Sequence, residues 1–279
     1  AQVRPVSYSG DYDGGERLLS QIWYTGAYGA RLNMHEDYFG SILMDRGDRV
    51  SIQGDGHPTM AAALAAFGDP ATHALVWTML NKTDSGCHGC HVIDDTIMPY
   101  PVYWTMSVND WYHATGNASG FLALAPDMAH ILDQASDSFL RPGLNLGWFG
   151  WDDRVGNGFC GTCNREAQLG FAALLVRAVH DYAVSLRAAG QTAASLRYER
   201  SAQNLTAILR RESRLEEYGL HAAANLINAG AVNDTEAEWL FAARFNDTVT
   251  LCSWSNFNQY WNLQALGNIP HGMDHALAS

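Results

Sequence analysis

The chain reads as an all-α protein built of stacked helical hairpins, and three features of its 279 residues point there. Apolar residues recur at helical spacing through most of the length. No run alternates with the period of two that marks a half-buried strand. Helix start and stop signals bracket loops that are by turns short and long, as when antiparallel helices are joined in αα-hairpins. An array of tetratricopeptide-type repeats would also be helical, but the spacings are irregular and no repeated signature of about 34 residues occurs.

The elements follow in order. Residues 16–32 place Leu18, Leu19, Ile22, Trp23 and Ala27 on one face of an amphipathic helix. Pro58 opens a second helix through Met60, Leu64 and Phe67, which Gly68-Asp69-Pro70 stops. A third covers 71–80. After a loop rich in Gly, Cys, His and Asp, residues 100–113 form an aromatic helix with Tyr103, Trp104, Val108, Trp111 and Tyr112, ended by Thr115-Gly116-Asn117. The next helix is read from Pro126 to 139. A long loop over 141–163 carries Trp148, Trp151, Asp152, Asp153 and Arg154, and loops of that length within a compact domain are usually functional. The strongest helical pattern runs over 165–189. Further helices are expected near 193–213, 221–229, 235–245 and 257–266, and Thr235 and Glu238 have the spacing of a capping box. No linker divides the chain, so residues 1–279 read as one domain.

Composition narrows the partners. With 47% hydrophobic residues the chain can bury a large core. A net charge of −12 argues against nucleic acid and anionic lipid as partners, and no apolar run of about 18 residues offers a membrane span. Nine tryptophans and twelve tyrosines suit a site that stacks the apolar faces of sugars, although most of them would serve equally to fill a helical core. Acceptor sequons at Asn81, Asn117, Asn204, Asn233 and Asn246 point to a secreted, extracellular glycoprotein.

Cys87, Cys90, Cys160 and Cys163 form two C-x-x-C pairs, with Cys252 left over. In an oxidising compartment they read as two disulfides of open connectivity. A four-cysteine zinc site would need the pairs closer in sequence. Cys87, Cys90 and His91 also spell the C-x-x-C-H signature of covalent haem attachment, which leaves the second pair unexplained. Neither metal nor organic cofactor is expected.

The densest chemistry lies between the first two helices. Asp45, Arg46, Asp48, Arg49 and Asp55 crowd a glycine-containing stretch in a chain that is only 16% charged. Such a knot either solvates a surface loop or lines a polar cavity, where arginines hold neighbouring carboxylates ionised and a desolvated carboxyl can stay protonated.

Leu18 to Tyr28, Asp45-Arg-Gly-Asp-Arg49 through Gly54-Asp55, Asp95-Thr96 with the helix ending Trp111 to Gly116, Gly150-Trp151-Asp-Asp-Arg154 and Asn164-Arg-Glu-Ala-Gln168 follow one another in the order of the landmarks of a known family. In these the chain resembles fungal α-L-rhamnosidase-like proteins of glycoside hydrolase family 78, over about residues 10–260. The resemblance implies an (α/α)6 toroid and inverting cleavage of terminal α-L-rhamnosides. Inversion requires two carboxyl groups about 6.5–9.5 Å apart, one to protonate the leaving oxygen and one to activate water. By the family motif Asp48 is the proton donor, Arg46, Arg49 and Asp55 hold the sugar, and Asp95, Trp151 and Asp152 belong to further rim loops. The chain departs from the motif at Gly47, usually acidic, and at Ile52, usually aromatic. The family's general base lies late in the barrel, beyond this chain. About four of the six hairpins are expected here, with the toroid cut short on its C-terminal side and a companion segment or chain completing it over otherwise exposed apolar faces. Three other functions share the sequence features: a polysaccharide lyase with His35, His57 or His91 as base, a non-catalytic carbohydrate-binding glycoprotein, and a c-type haem protein.

Overall fold

The computed structural model describes residues 6–35, 51–81, 87–88, 97–148, 159–160, 165–246, 256–270 and 272. The chain is all-α. Its helices are α1 (Arg17–Leu32), α2 (Gly56–Ala66), α3 (Pro70–Leu80), α4 (Pro99–Thr115), α5 (Ala118–Asp137), α6 (Arg165–Ala188), α7 (Thr192–Glu212), α8 (Leu220–Asn228), α9 (Asp234–Leu240) and α10 (Asn256–Gly267). A π-helical turn, Phe241–Phe245, prolongs α9. A 3-10 turn, Leu215–Glu217, precedes α8, and the described residues also hold four two-residue strands: β1 (Ser51–Ile52) pairs in parallel with β2 (Cys87–His88), and β3 (Gly147–Trp148) pairs antiparallel with β4 (Phe159–Cys160). Segments this short leave no periodicity in the sequence. Two compact units arise, one from Ala1–Val92 and Tyr103–Ala129, the other from Ile93–Val102 and His130–Ser279.

In the first unit the aromatic helix α4 is the core. Trp104 is fully buried and donates its indole N–H to the Leu80 carbonyl at 3.0 Å, and Trp111 donates to the His73 carbonyl at 3.0 Å while stacking on Trp77. Each ring thus contributes apolar area and satisfies a carbonyl on α3 or at its end. Asp69 caps α3 by accepting from the Ala71 and Thr72 amides, with Pro70 at the first helical position, where no N–H is needed. Tyr8 packs against Phe67 and Trp23 and fixes the entry segment to α1 and α2.

Three sequence expectations are corrected. Helix α5 begins eight residues before Pro126, because the Asn117 side chain accepts from the Gly120 amide and starts the helix there. Buried Phe121, Leu124, Met128, Ile131 and Leu132 on either side of the proline offset the roughly 3 kcal/mol that an interior proline costs. The capping box of α9 lies two residues earlier than Thr235 and Glu238: Asn233 accepts from the Glu236 amide, and Glu236 accepts from the Asn233 amide. On α1 the expected inward face is split. Ala27 and Ala30 are buried, whereas Leu18 is 64% and Ile22 58% exposed.

In the second unit α6 is the central helix, buried along its length from Ala167 to Leu186 and packed by α7 and α8. By length and hydropathy it could cross a membrane, but 78% of its most apolar window is buried inside the protein. Arg177 on this helix pairs with Asp181 and donates to Gln264 of α10. Tyr182 meets the edge of Tyr198 on α7, and Asp133 accepts from Arg197 and Tyr198. Between α8 and α10, Asn258 contacts His221 at 3.1 Å, and Asn228 donates to the Trp261 carbonyl.

Candidate functional site

Arg46, Asp48 and Arg49 lie outside the described residues, as do Asp95, Trp151 and Asp152; Cys90, His91, Cys163 and Cys252 lie outside them too. Asp55 is described. It stands at the N-cap of α2, half-buried, and its side chain makes no capping bond to that helix. Its backbone is helical, at φ −58° and ψ −40°, rather than extended as in a side-chain N-cap.

Around Asp55 the chain is held from several sides. The β1–β2 pairing sets Ser51 opposite Cys87 and Ile52 opposite His88, so the end of the charged stretch and the start of the cysteine-rich loop form one small sheet. Gly54, with φ +89°, turns the chain from β1 into α2, a conformation that side chains rarely adopt. Gly56 is packed closely, since a Cβ there would stand 2.7 Å from Met79 Cε and the methionine end would have to shift. His57 is 1% exposed, its Nε2 3.0 Å from Asp110 Oδ2 and its ring edge-on to Tyr103. Gln53 is wholly buried. The N-terminus of α2 is therefore a rigid platform next to Asp55.

His57 and Asp110, 53 residues apart, were not legible as partners; the sequence offers only that His57 follows Gly-Asp-Gly. The ring of His57 is thus held in place by Asp110 within the first unit. In the second unit the β3–β4 pairing closes the segment 149–158, which carries Trp151 and Asp152, at its two ends. Cys87 and Cys160 each lie in one of the two small sheets. Among the described residues there is no group of three or more His, Cys, Asp or Glu residues placed to hold a metal ion. All five sequon asparagines are exposed. Asn117 and Asn233 use their side-chain oxygens as helix caps, which leaves the amide nitrogen outward of the cap bond.

A groove of about 810 Å³ in the second unit is lined by His180, Asp181, Arg187, Glu199, Gln203 and Asn228 among others. Its charges satisfy one another: Arg187 pairs with Glu199, and Asp181 with both Arg177 and His180. The hydrogen bond that His180 donates to Asp181, against the opposing effect of burial, raises the His180 pKa above its usual value. Among the described residues no Phe, Tyr or Trp lines the groove, so they offer it no such stacking surface as sugar sites use.

No family model matches the sequence, and no curated protein matches it. Solved structures do match in fold. A family 78 rhamnosidase of Bacillus sp. GL1 superposes with a TM-score of 0.69 at 17% identity, over 95% of this chain and 30% of that one. A rhamnosidase from Klebsiella oxytoca with rhamnose bound superposes with a TM-score of 0.72 at 12% identity, over 98% of this chain and 55% of that one. The chain thus spans about a third to just over half the length of these enzymes. At these identities the likeness is one of fold, shared with the helical part of two rhamnosidases.

Proposed function

We propose that the chain is part of a secreted glycoside hydrolase that removes terminal α-L-rhamnose, or a closely related sugar, from plant or microbial glycans by inversion. The observation that carries this reading is the fold shared with two rhamnosidases, in a chain whose charged stretch leads into α2 through Asp55. In this reading Asp48 protonates the leaving oxygen. Arg46, Arg49 and Asp55 hold the sugar, Asp95, Trp151 and Asp152 contribute from the rim loops, and the base that activates water belongs to a segment outside this sequence. No organic cofactor is required.

That segment, or a companion chain, would cover α1, where Leu18, Ile22, Tyr24, Tyr28 and Leu32 are all exposed on a single helix. The greater length of both rhamnosidases supports this. Export through an oxidising compartment would allow glycans at the five exposed asparagines and disulfides among Cys87, Cys90, Cys160 and Cys163.

The test is hydrolysis of an aryl α-L-rhamnoside by the protein together with its companion segment, compared with Asp48→Asn. Loss of turnover with L-rhamnose binding retained supports the assignment. Unchanged turnover removes Asp48 as the acid, and binding without turnover in the parent protein marks a non-catalytic carbohydrate-binding protein. An intact mass and an absorption spectrum report glycans, disulfides and any covalent haem at Cys87, Cys90 and His91.

A further inference from the structure

Gln53 occupies the position between β1 and the Gly54 turn, two residues before Asp55. It has 0% exposure, and neither its Oε1 nor its Nε2 has a hydrogen-bond partner. Leaving a buried polar group unmatched costs about 1–3 kcal/mol, and native proteins keep few of them. A methionine or leucine would fill nearly the same volume without that penalty, so the carboxamide has a use that the unliganded protein does not display.

Its surroundings define that use. Oε1 lies over the first turn of α2, 3.4 Å from where a Cβ on Gly56 would stand, with Met79 closing the other side. Asp55, two residues on, stands half-buried at the N-terminus of the same helix. A carboxamide presents an acceptor and a donor side by side. An anion would satisfy only its NH2 group and a cation only its oxygen. Two adjacent hydroxyls on a neutral ring satisfy both.

Resting on the glycosidase reading above, we infer that Gln53 is a specificity-determining residue whose carboxamide pairs with two neighbouring hydroxyls of the bound sugar, beside Asp55. Because the group is covered in the free protein, binding shifts the turn between β1 and α2, and Gly54, in its left-handed conformation, is the pivot.

The experiment compares the parent protein with Gln53→Met and Gln53→Leu by thermal unfolding in the presence and absence of L-rhamnose. Both variants should fold, with a sugar-free Tm equal to or above that of the parent, and their affinity for L-rhamnose should fall by about tenfold or more, the equivalent of one to two lost hydrogen bonds in a desolvated site. Affinity within about twofold of the parent overturns the inference alone. So does a lowered sugar-free Tm with binding unchanged, or failure of both variants to fold, since either means that the carboxamide already has a structural partner such as a bound water. A parent protein whose Tm does not respond to L-rhamnose overturns the carbohydrate reading itself, and this inference with it.

Discussion

The contact between His57 and Asp110 allows a quantitative prediction. The histidine ring is buried while the Asp110 side chain is 43% exposed, with 3.0 Å between Nε2 and Oδ2. A buried hydrogen bond to a charged group contributes about 1.5–3 kcal/mol, whereas an exposed ion pair contributes about 0.2–1 kcal/mol. With one partner dry and the other wet, the coupling should be about 1 kcal/mol. Asp110→Ala should cost about 1–3 kcal/mol, because it takes this bond away from a buried ring nitrogen. His57→Ala should cost more, about 2–4 kcal/mol, since it also removes the ring packed against Tyr103 and opens a cavity. Urea unfolding of the parent, both single variants and the double variant gives the coupling as the departure from additivity, free of the other contacts His57 makes. A coupling below about 0.3 kcal/mol would refute the reasoning.

Other consequences can be measured in the same way. Burial raises the Asp69 pKa, but hydrogen bonds from the Thr72 hydroxyl and the Thr72 and Ala71 amides outweigh it and hold the carboxyl below 3.8. Its contribution is therefore present above that pH and lost as pH falls through the folded value. Asp69→Ala should cost about 1 kcal/mol at neutral pH and nothing in strong acid, as read from denaturation at both. Burial, reinforced by the charge of Asp133, pushes the Tyr198 phenol up to about 12 from 10.0. Stability from this group is complete below pH 10.0 and lost as pH rises through about 12, so Tyr198→Phe should flatten the alkaline decline in Tm and remove one late-titrating phenolate from the ultraviolet titration. At Gly10 a Cβ would stand 2.3 Å from the Ala65 carbonyl oxygen, so Gly10→Ala should lower stability by about 1–3 kcal/mol in a thermal or urea assay.

Helix α6 was legible to within a residue at its C-terminus, because a long apolar repeat leaves little freedom in where the helix lies. The start of α5 was not, since Pro126 is a strong local stop signal that the packing of Phe121 and Leu124 overrides. The α9 cap was misplaced because two overlapping stretches, Asn233 to Glu236 and Thr235 to Glu238, have the same spacing. Helix α1 shows the limit of a periodic pattern: it identifies an apolar face without identifying what covers it. Within the candidate site, Asp55 came from an ordered motif. The His57 contact with Asp110 and the burial of Gln53 depend on which helices meet, and no local sequence encodes that.

The short β3–β4 stem has a bearing on how such a protein diversifies. By joining Gly147 to Cys160 and Trp148 to Phe159, it anchors both ends of the segment 149–158 independently of that segment's own residues. Closing a loop between fixed ends costs only about 0.6 kcal/mol more for each doubling of its length. The segment can therefore be treated as an exchangeable cassette. Residues 149–158 could be replaced wholesale, in evolution or by graft, to test new ligand preferences while the β3–β4 stem keeps its pairing.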